Sequence, residues 1–384
     1  MKILAVGGGS GGHVTPVVAV LRECRQRHPE AEIRFWCDRK FRPQAASIVR
    51  TFDETIPVQA IASGKLRRYN TLSPWQMLRP SILLPNLRDL FLVAAGVIQS
   101  VVKLLAWRPD VIFTKGGFVC LPVGFAAHLL RIPLVIHDSD AHPGLTNRIL
   151  AKWATFIATG APLEYYPYPK GKSYYIGIPI AEEFIPFSAS EQAAAKKELG
   201  LNPMRPLVVV TGGGLGAQRI NDTTAAALDD ILPFTSLVLI SGSAHYDELR
   251  ATTPQHDDRF QLHAFVSSGM ATMLGAADVV VARAGATTIL ELAALAKPTI
   301  LIPNAYLTGG HQLKNAKVYA DKGAVEILDE DDLLQDPHVL ATALKGLLGD
   351  ASKRERMMKA FAAFSKPRAA AEMMDIIEKA IKKQ

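Results

Sequence analysis

The stretch GGGSGGH at residues 7–13 places five glycines, a serine and a histidine directly behind the apolar run KILAV. Gly7, Gly9 and Gly12 fit the pattern G-x-G-x-x-G, and Gly212, Gly214 and Ala217 fit its G-x-G-x-x-A variant. Such loops let the backbone turn tightly and aim the N–H groups of a following helix at negative charge. A phosphate cradle alone has no need of His13. It stands where a helix should begin, and the helix dipole there favours neutral imidazole over a cation. Neutral imidazole accepts a proton from an attacking hydroxyl, which makes His13 the candidate general base.

The second half of the chain carries a different set of groups. Arg283, Ala284, Gly285, Ala286, Thr287 and Thr288 follow the apolar run ADVVVA and lead into ILELAALA. Small residues, hydroxyls and a helix start make a seat for a pyrophosphate. Glu291 lies four residues past Thr287, on the same helix face. A carboxylate there accepts hydrogen bonds from the two hydroxyls of a ribose.

Other constellations compete. A dinucleotide-dependent oxidoreductase would use Asp38, in CDRK, for its ribose, but one dinucleotide leaves the second glycine loop unexplained. His137, Asp138, Ser139 and Asp140, with His142 nearby, resemble an oxygen-rich divalent-ion site. The acidic run Asp329, Glu330, Asp331 and Asp332 reads as the surface of a helix N-terminus.

These groups need positioning, and the pattern of apolar runs says how. KILAV, AEIRFW, PDVIFT and IPLVIH alternate with helical stretches, and the plan returns in RPLVVVT, SLVLIS, ADVVVA and KPTILIP. That alternation predicts parallel α/β architecture. PDVIFTKGG at 109–117 parallels ADVVVARAGA at 277–286, so the chain reads as a weak internal repeat of two Rossmann-like halves. Ligands of open parallel sheets bind beyond the carboxyl ends of the strands, so two facing sheets predict a cleft. The Pro- and Tyr-rich stretch at 162–179 reads as the hinge. The expected domains are residues 1–170, 171–350 and a closing amphipathic helix within 351–384.

The 384 residues have room for two domains, and 49% of them are hydrophobic. Three scattered cysteines, Cys24, Cys37 and Cys120, suit a reducing compartment rather than a disulfide framework. The first residues read as a strand rather than a signal peptide. The net charge of +7 favours anionic partners, yet no nucleic-acid motif accompanies it, so nucleic acid is not an expected partner. Residues 81–107 are the most apolar stretch, but their longest charge-free run, 90–102, is shorter than a membrane span needs. Arg67, Arg68, Arg79, Arg88, Lys103 and Arg108 surround it, which predicts peripheral contact of the 67–108 region with an anionic membrane surface.

GGGSGGHVTP, GLTNR at 144–148, ARAGATTILELAAL and HQLKNA at 311–316 occur in the order and spacing of a known family. The chain resembles the MurG glycosyltransferases, and the likeness covers nearly its whole length. The resemblance implies the GT-B fold, two Rossmann-like parallel-sheet domains facing across a cleft, with the last helix crossing back to the first domain. It implies inverting transfer of N-acetylglucosamine from UDP-N-acetylglucosamine to a lipid-linked muramyl-pentapeptide, at the cytoplasmic face of the cell membrane, with no cofactor or metal. His13 takes the place of the family's base. Ser10, Gly11, Gly12, Gly214, Val266, Arg283, Ala286, Thr287, Thr288, Glu291, Gln312 and Asn315 fall at donor positions, with Asn221 near the second loop. His137, Asp138, Asp140 and Asn147 fall on the acceptor side. The family's GGSQGA is GGGLGA here, its H-E-Q-N is His137–Asp140, an arginine is Ala181 and a tyrosine is Phe118. Gly214, Leu215 and Ala181 keep open a transfer of another UDP-sugar to a glycolipid; a nucleotide-sugar-binding subunit without catalysis is the other alternative, against which His13 and Glu291 stand.

Overall fold

Continuous apolar runs become strands buried on both faces, since crossover helices cover both sides of a parallel sheet. The computed structural model of the chain describes all residues except 9–10, 66–78, 215, 255–256, 267, 305–309 and 384. Ser10, Arg67, Arg68 and Leu215 therefore lie outside the described residues. The chain divides into one unit of Met1–Ala181 with Lys366–Gln384 and a second of Glu182–Ser365.

The first unit is built on seven parallel strands: β1 (Lys2–Val6), β2 (Glu32–Asp38), β3 (Val58–Ile61), β4 (Val111–Thr114), β5 (Leu134–Asp138), β6 (Phe156–Thr159) and β7 (Ser173–Tyr175). Their order in the sheet is β3-β2-β1-β4-β5-β6-β7. Strand alternation splits β1 between two cores. Ile3 and Ala5 join Val14, Leu21, Met373 and Ile377, while Leu4 and Val6 join Ile112, Val123 and Leu150.

The second unit has six parallel strands: β8 (Leu207–Thr211), β9 (Ser236–Ile240), β10 (Phe260–His263), β11 (Val279–Ala282), β12 (Thr299–Leu301) and β13 (Glu326–Ile327). Their order is β10-β9-β8-β11-β12-β13. Both units are thus Rossmann-like, and both reverse strand order once, between β1 and β4 and between β8 and β11. A crevice opens at such a switch point because the connections on its two sides leave in opposite directions. The glycine loops leave β1 and β8, so both stand at switch points.

Two expectations change. The stretch read as a hinge belongs to the first sheet, because SYY within it forms β7 and pairs with β6. The closing segment is two helices, Ala351–Ala362 in the second unit and Ala369–Lys382 in the first. Pro367 lies between them and removes a backbone donor that a continuous helix would need. The second helix buries Met373, Met374, Ile376, Ile377 and Ala380 in the first unit's core, and Arg27 grips it through Asp375 at 2.6 Å.

Candidate active site

At the first switch point, close approach explains the glycines. A Cβ on Gly7 would lie 2.8 Å from the carbonyl oxygen of His13, and one on Gly117 would lie 2.8 Å from that of Gly8. Gly116 and Gly117 also hold φ of +101° and +91°, where side chains are strained. The loops after β1 and β4 therefore close on each other as only glycines allow. Gly11, Gly12 and half-buried His13 form the first turn of the helix Gly11–Arg27, so the imidazole sits beside the loop at the sheet's carboxyl edge. Asp38 is buried there too and accepts the N–H of Phe41 at 3.0 Å, with its other carboxylate oxygen 2.6 Å from where a Gly8 Cβ would stand. It braces a turn rather than lying on the surface.

The strand ends next to this loop carry a buried polar cluster. Lys115, His137, Asp138 and Asn147 are each at most 4% exposed. The Nε2 of His137 lies 2.8 Å from the Gly177 carbonyl, which can only accept, so Nε2 carries the hydrogen. Its Nδ1 then accepts from the Ser139 hydroxyl at 3.2 Å, and that hydroxyl accepts from Lys115 Nζ. Burial and the Lys115 charge push His137 down to about 3, so the ring is neutral. Burial likewise lowers Lys115 to about 8, against the pull of Asp140 and Asp138, and raises Asp138 to about 7. Tyr168 donates to Asp138 Oδ2 at 2.6 Å, and Asn147 Nδ2 donates to the His137 carbonyl at 3.2 Å. Asn147 Oδ1 is buried with no donor among the described residues.

The His137 ring is fully buried, with both nitrogens hydrogen-bonded within the first unit. Among the described residues no group of three His, Cys, Asp or Glu side chains is placed to hold a metal ion. Ser139 and Asp140 are the half-exposed members of the turn.

At the second switch point, Gly213 holds φ +81° and a Cβ on it or on exposed Gly214 would meet nothing within 4 Å. Among the described residues, nothing crowds the loop there. Asn221 donates to the Ser241 carbonyl at 2.8 Å, tying the helix Gln218–Ala226 to the end of β9. Ala286, Thr287 and Thr288 make the half-buried first turn of the helix Ala286–Ala294, and Glu291 follows one turn on. Burial, then the neighbouring Glu183 charge, raises the Glu291 carboxyl to about 7. Val266 is half-buried in the loop after β10. Gln312 accepts the Asn304 N–H at 2.9 Å, and buried Asn315 donates to the Ala284 carbonyl at 3.3 Å, so both brace the neighbouring loops.

Arg283 is placed differently from the sequence reading. It is 8% exposed, donates to the Ile302 carbonyl at 3.0 Å and pairs with Glu330. The same carboxylate accepts from Arg219 at 3.0 Å. Glu330 is 3% exposed, so the acidic run 329–332 is not wholly a solvated surface. Asp329 does cap the helix Glu330–Gln335, accepting the Asp331 N–H at 2.9 Å.

Sequence reasoning passed over Lys115, Tyr168 and Arg219. A cation immediately before paired glycines, in TKGG, was a usable signal for the first. The tyrosines of 162–179 gave none, since their partner lies on another strand.

The chain matches the Glycosyltransferase family 28 N-terminal domain over residues 3–159 and the C-terminal domain of the same family over 207–373. It is 34% identical over 335 residues to UDP-N-acetylglucosamine--N-acetylmuramyl-(pentapeptide) pyrophosphoryl-undecaprenol N-acetylglucosamine transferase 2 of Bacillus cereus, covering 86% of this chain and 88% of that one. It is 31% identical to transferase 1 of the same description from Bacillus thuringiensis, over all of both chains. Among solved structures, Acinetobacter baumannii MurG is similar in fold at TM-score 0.72 and 22% identity, covering 99% of this chain and all of that one. The UDP-GlcNAc 2-epimerase of Neisseria meningitidis shares the fold at TM-score 0.66 and 12% identity, over 99% of this chain and all of that one.

Proposed function

The chain belongs to glycosyltransferase family 28, among the muramyl-pentapeptide N-acetylglucosamine transferases, and from that membership we propose how its two units divide the reaction. It transfers N-acetylglucosamine from UDP-N-acetylglucosamine to the muramyl hydroxyl of the lipid-linked acceptor, which gives the disaccharide precursor of peptidoglycan. The observation that carries the reading is the 31% identity over the entire length of a relative so described. The hydroxyl oxygen attacks the anomeric carbon as the bond to UDP breaks, and UDP leaves with that electron pair. The hydroxyl proton passes to His13. Positioning and preorganised charge supply the catalysis. With Arg283 held by Glu330, the leaving diphosphate falls to the N–H groups at Ala286–Thr288 and to the open Gly213–Gly214 loop.

UDP release with a short-chain lipid-linked muramyl-peptide tests this directly, with UDP-N-acetylglucosamine compared against UDP-glucose and UDP-galactose. Acceptor-dependent release from the first donor alone is the expected result. Release from another sugar would reassign the donor, and silence with all three would overturn catalysis.

Glu291 is assigned to the donor ribose. Hydrogen bonds to a charged group contribute about 1.5–3 kcal/mol, so Glu291→Gln should weaken UDP binding roughly 10- to 100-fold. Because the free carboxyl sits near 7 and the ribose favours its charged form, wild-type affinity should rise from pH 6 to 8. The variant should show a flat profile in calorimetric titrations.

The acceptor's lipid calls for a membrane contact, and the helix Pro80–Ala106 supplies it. Ile82, Asp89, Gly96, Ser100 and Leu104 form its buried stripe. On the opposite side Leu84, Phe91, Ile98, Val102 and Leu105 are each 61–69% exposed. Its length and composition would also let it span a bilayer, but its buried stripe packs on the helix Cys120–Leu129 and Asp89 is buried beside Arg88. We assign a peripheral position on the cytoplasmic face of the membrane. Of the surrounding cations, Lys103 turns to Gln59 at 2.7 Å, Arg88 to Asp89 and Arg108 to the Leu130 carbonyl at 2.9 Å, while Arg79 is exposed. Phe91→Asp with Ile98→Asp should lower partition into anionic vesicles about 10- to 100-fold, since burying one such side chain contributes about 1.5–3 kcal/mol. Exposed sites should leave the melting temperature unchanged, which a thermal scan beside the vesicle assay checks.

A further inference from the structure

We infer that Lys115 is a positioning residue for the acceptor: by holding Ser139 it fixes the 138–140 turn against which the muramyl sugar is presented. The inference rests on the transferase reading above. Lys115 directly follows β4, immediately before Gly116 and Gly117, is 1% exposed, and therefore touches no ligand itself.

A buried ammonium is an expensive way to fill that space. Desolvation disfavours it, and an unbranched apolar side chain such as methionine would pack the same volume at no such cost. The two carboxylates that offset the cost, Asp138 and Asp140, both belong to the turn that Lys115 holds. The hydrogen bonds also run one way. The ammonium has only donors, so Ser139 must accept from it and donate onward to His137, which in turn donates to Gly177. Replacing the ammonium removes one of the two partners that hold the Ser139 hydroxyl and leaves it only its bond to His137 Nδ1 among the described residues.

The rest of the turn is held independently. The Gly160 N–H donates to the Asp138 carbonyl at 2.7 Å, and Tyr168 holds its carboxyl. A Cβ on Gly160 would stand 2.6 Å from the Ser139 carbonyl. These contacts fix the backbone of Asp138 and Ser139, and the Lys115–Ser139 link fixes the side chain. What the turn offers outward is half-exposed Ser139 and Asp140, a hydroxyl and a carboxylate suited to the hydroxyls of a sugar.

The test is steady-state kinetics on full-length wild type, Lys115→Met, Ser139→Ala and the double variant, with acceptor and donor varied separately. Each single change should lower kcat/KM for the acceptor 10- to 100-fold and leave the donor KM within twofold. The double variant should be no worse than the poorer single, because both cut one link. Losses that multiply, equal losses for donor and acceptor, or unaltered kinetics would each overturn the inference. If Lys115→Met does not fold, Ser139→Ala alone decides, by the same split between acceptor and donor. A wild type that releases no UDP on addition of acceptor would overturn the transferase reading itself, and that result differs from an active wild type with unaffected variants.

Discussion

Replacing His13 with alanine is expected to lower turnover by about 10²- to 10⁴-fold while UDP still binds, the range a positioned general base contributes. At about 1.36 kcal/mol per decade, that is roughly 3–5 kcal/mol of barrier. The placement supports the split between turnover and binding. His13 belongs to the first unit, in the turn that follows the β1 loop, while the donor residues Glu291 and Ala286–Thr288 belong to the second. Alanine is the best helix former, so the first turn should persist without the ring. The measurement pairs a single-turnover rate with a titration of UDP on the same preparation. Weakened UDP binding with an unchanged rate for bound donor would remove His13 from the chemistry and make it a donor contact.

The parts of this molecule legible in the sequence are those with short-range signatures. Continuous valine and isoleucine runs announced β1, β4, β5, β8, β9, β11 and β12, because a central parallel strand is buried on both faces and tolerates little else. Short strands with mixed composition escaped. β7 is SYY inside a proline-rich stretch, and it is a strand only because β6 offers an edge. The glycine loops were legible because only glycine closes at 2.8 Å or at φ near +90°. Long-range polar pairing was not. Asp138 meets Tyr168 thirty residues on, and Arg283 meets Glu330 forty-seven residues on. Nothing local distinguishes such a glutamate from its solvated neighbours in DEDD, so Glu330 passed for surface and Arg283 was read at the donor diphosphate without a carboxylate partner.

That pairing makes Glu330 the residue whose loss should cost the second unit most. Glu330→Ala is expected to destabilise it by about 3–5 kcal/mol, because removing one member of a buried pair strands the other's charge away from water. Among the described residues Arg283 would keep only the Ile302 carbonyl, and its side chain is 9% exposed. Arg219, 44% exposed, can rehydrate and adds little to the loss. High salt should not mimic the change, since ions do not screen a pair that is out of solvent. The tryptophans make the effect separable. Trp36, Trp107 and Trp153 lie in the first unit, and residues 182–365 hold no tryptophan, so the fluorescence does not follow the second unit. Urea unfolding followed by tryptophan should therefore leave the first unit's transition in place. Hydrogen exchange should quicken at β8, β11 and β12, since β8 ends at Thr211 and Arg283 and Ile302 directly follow β11 and β12. Unchanged exchange there, together with tighter UDP binding, would mean that Glu330 restrains Arg283 from the donor phosphates instead of supporting the fold.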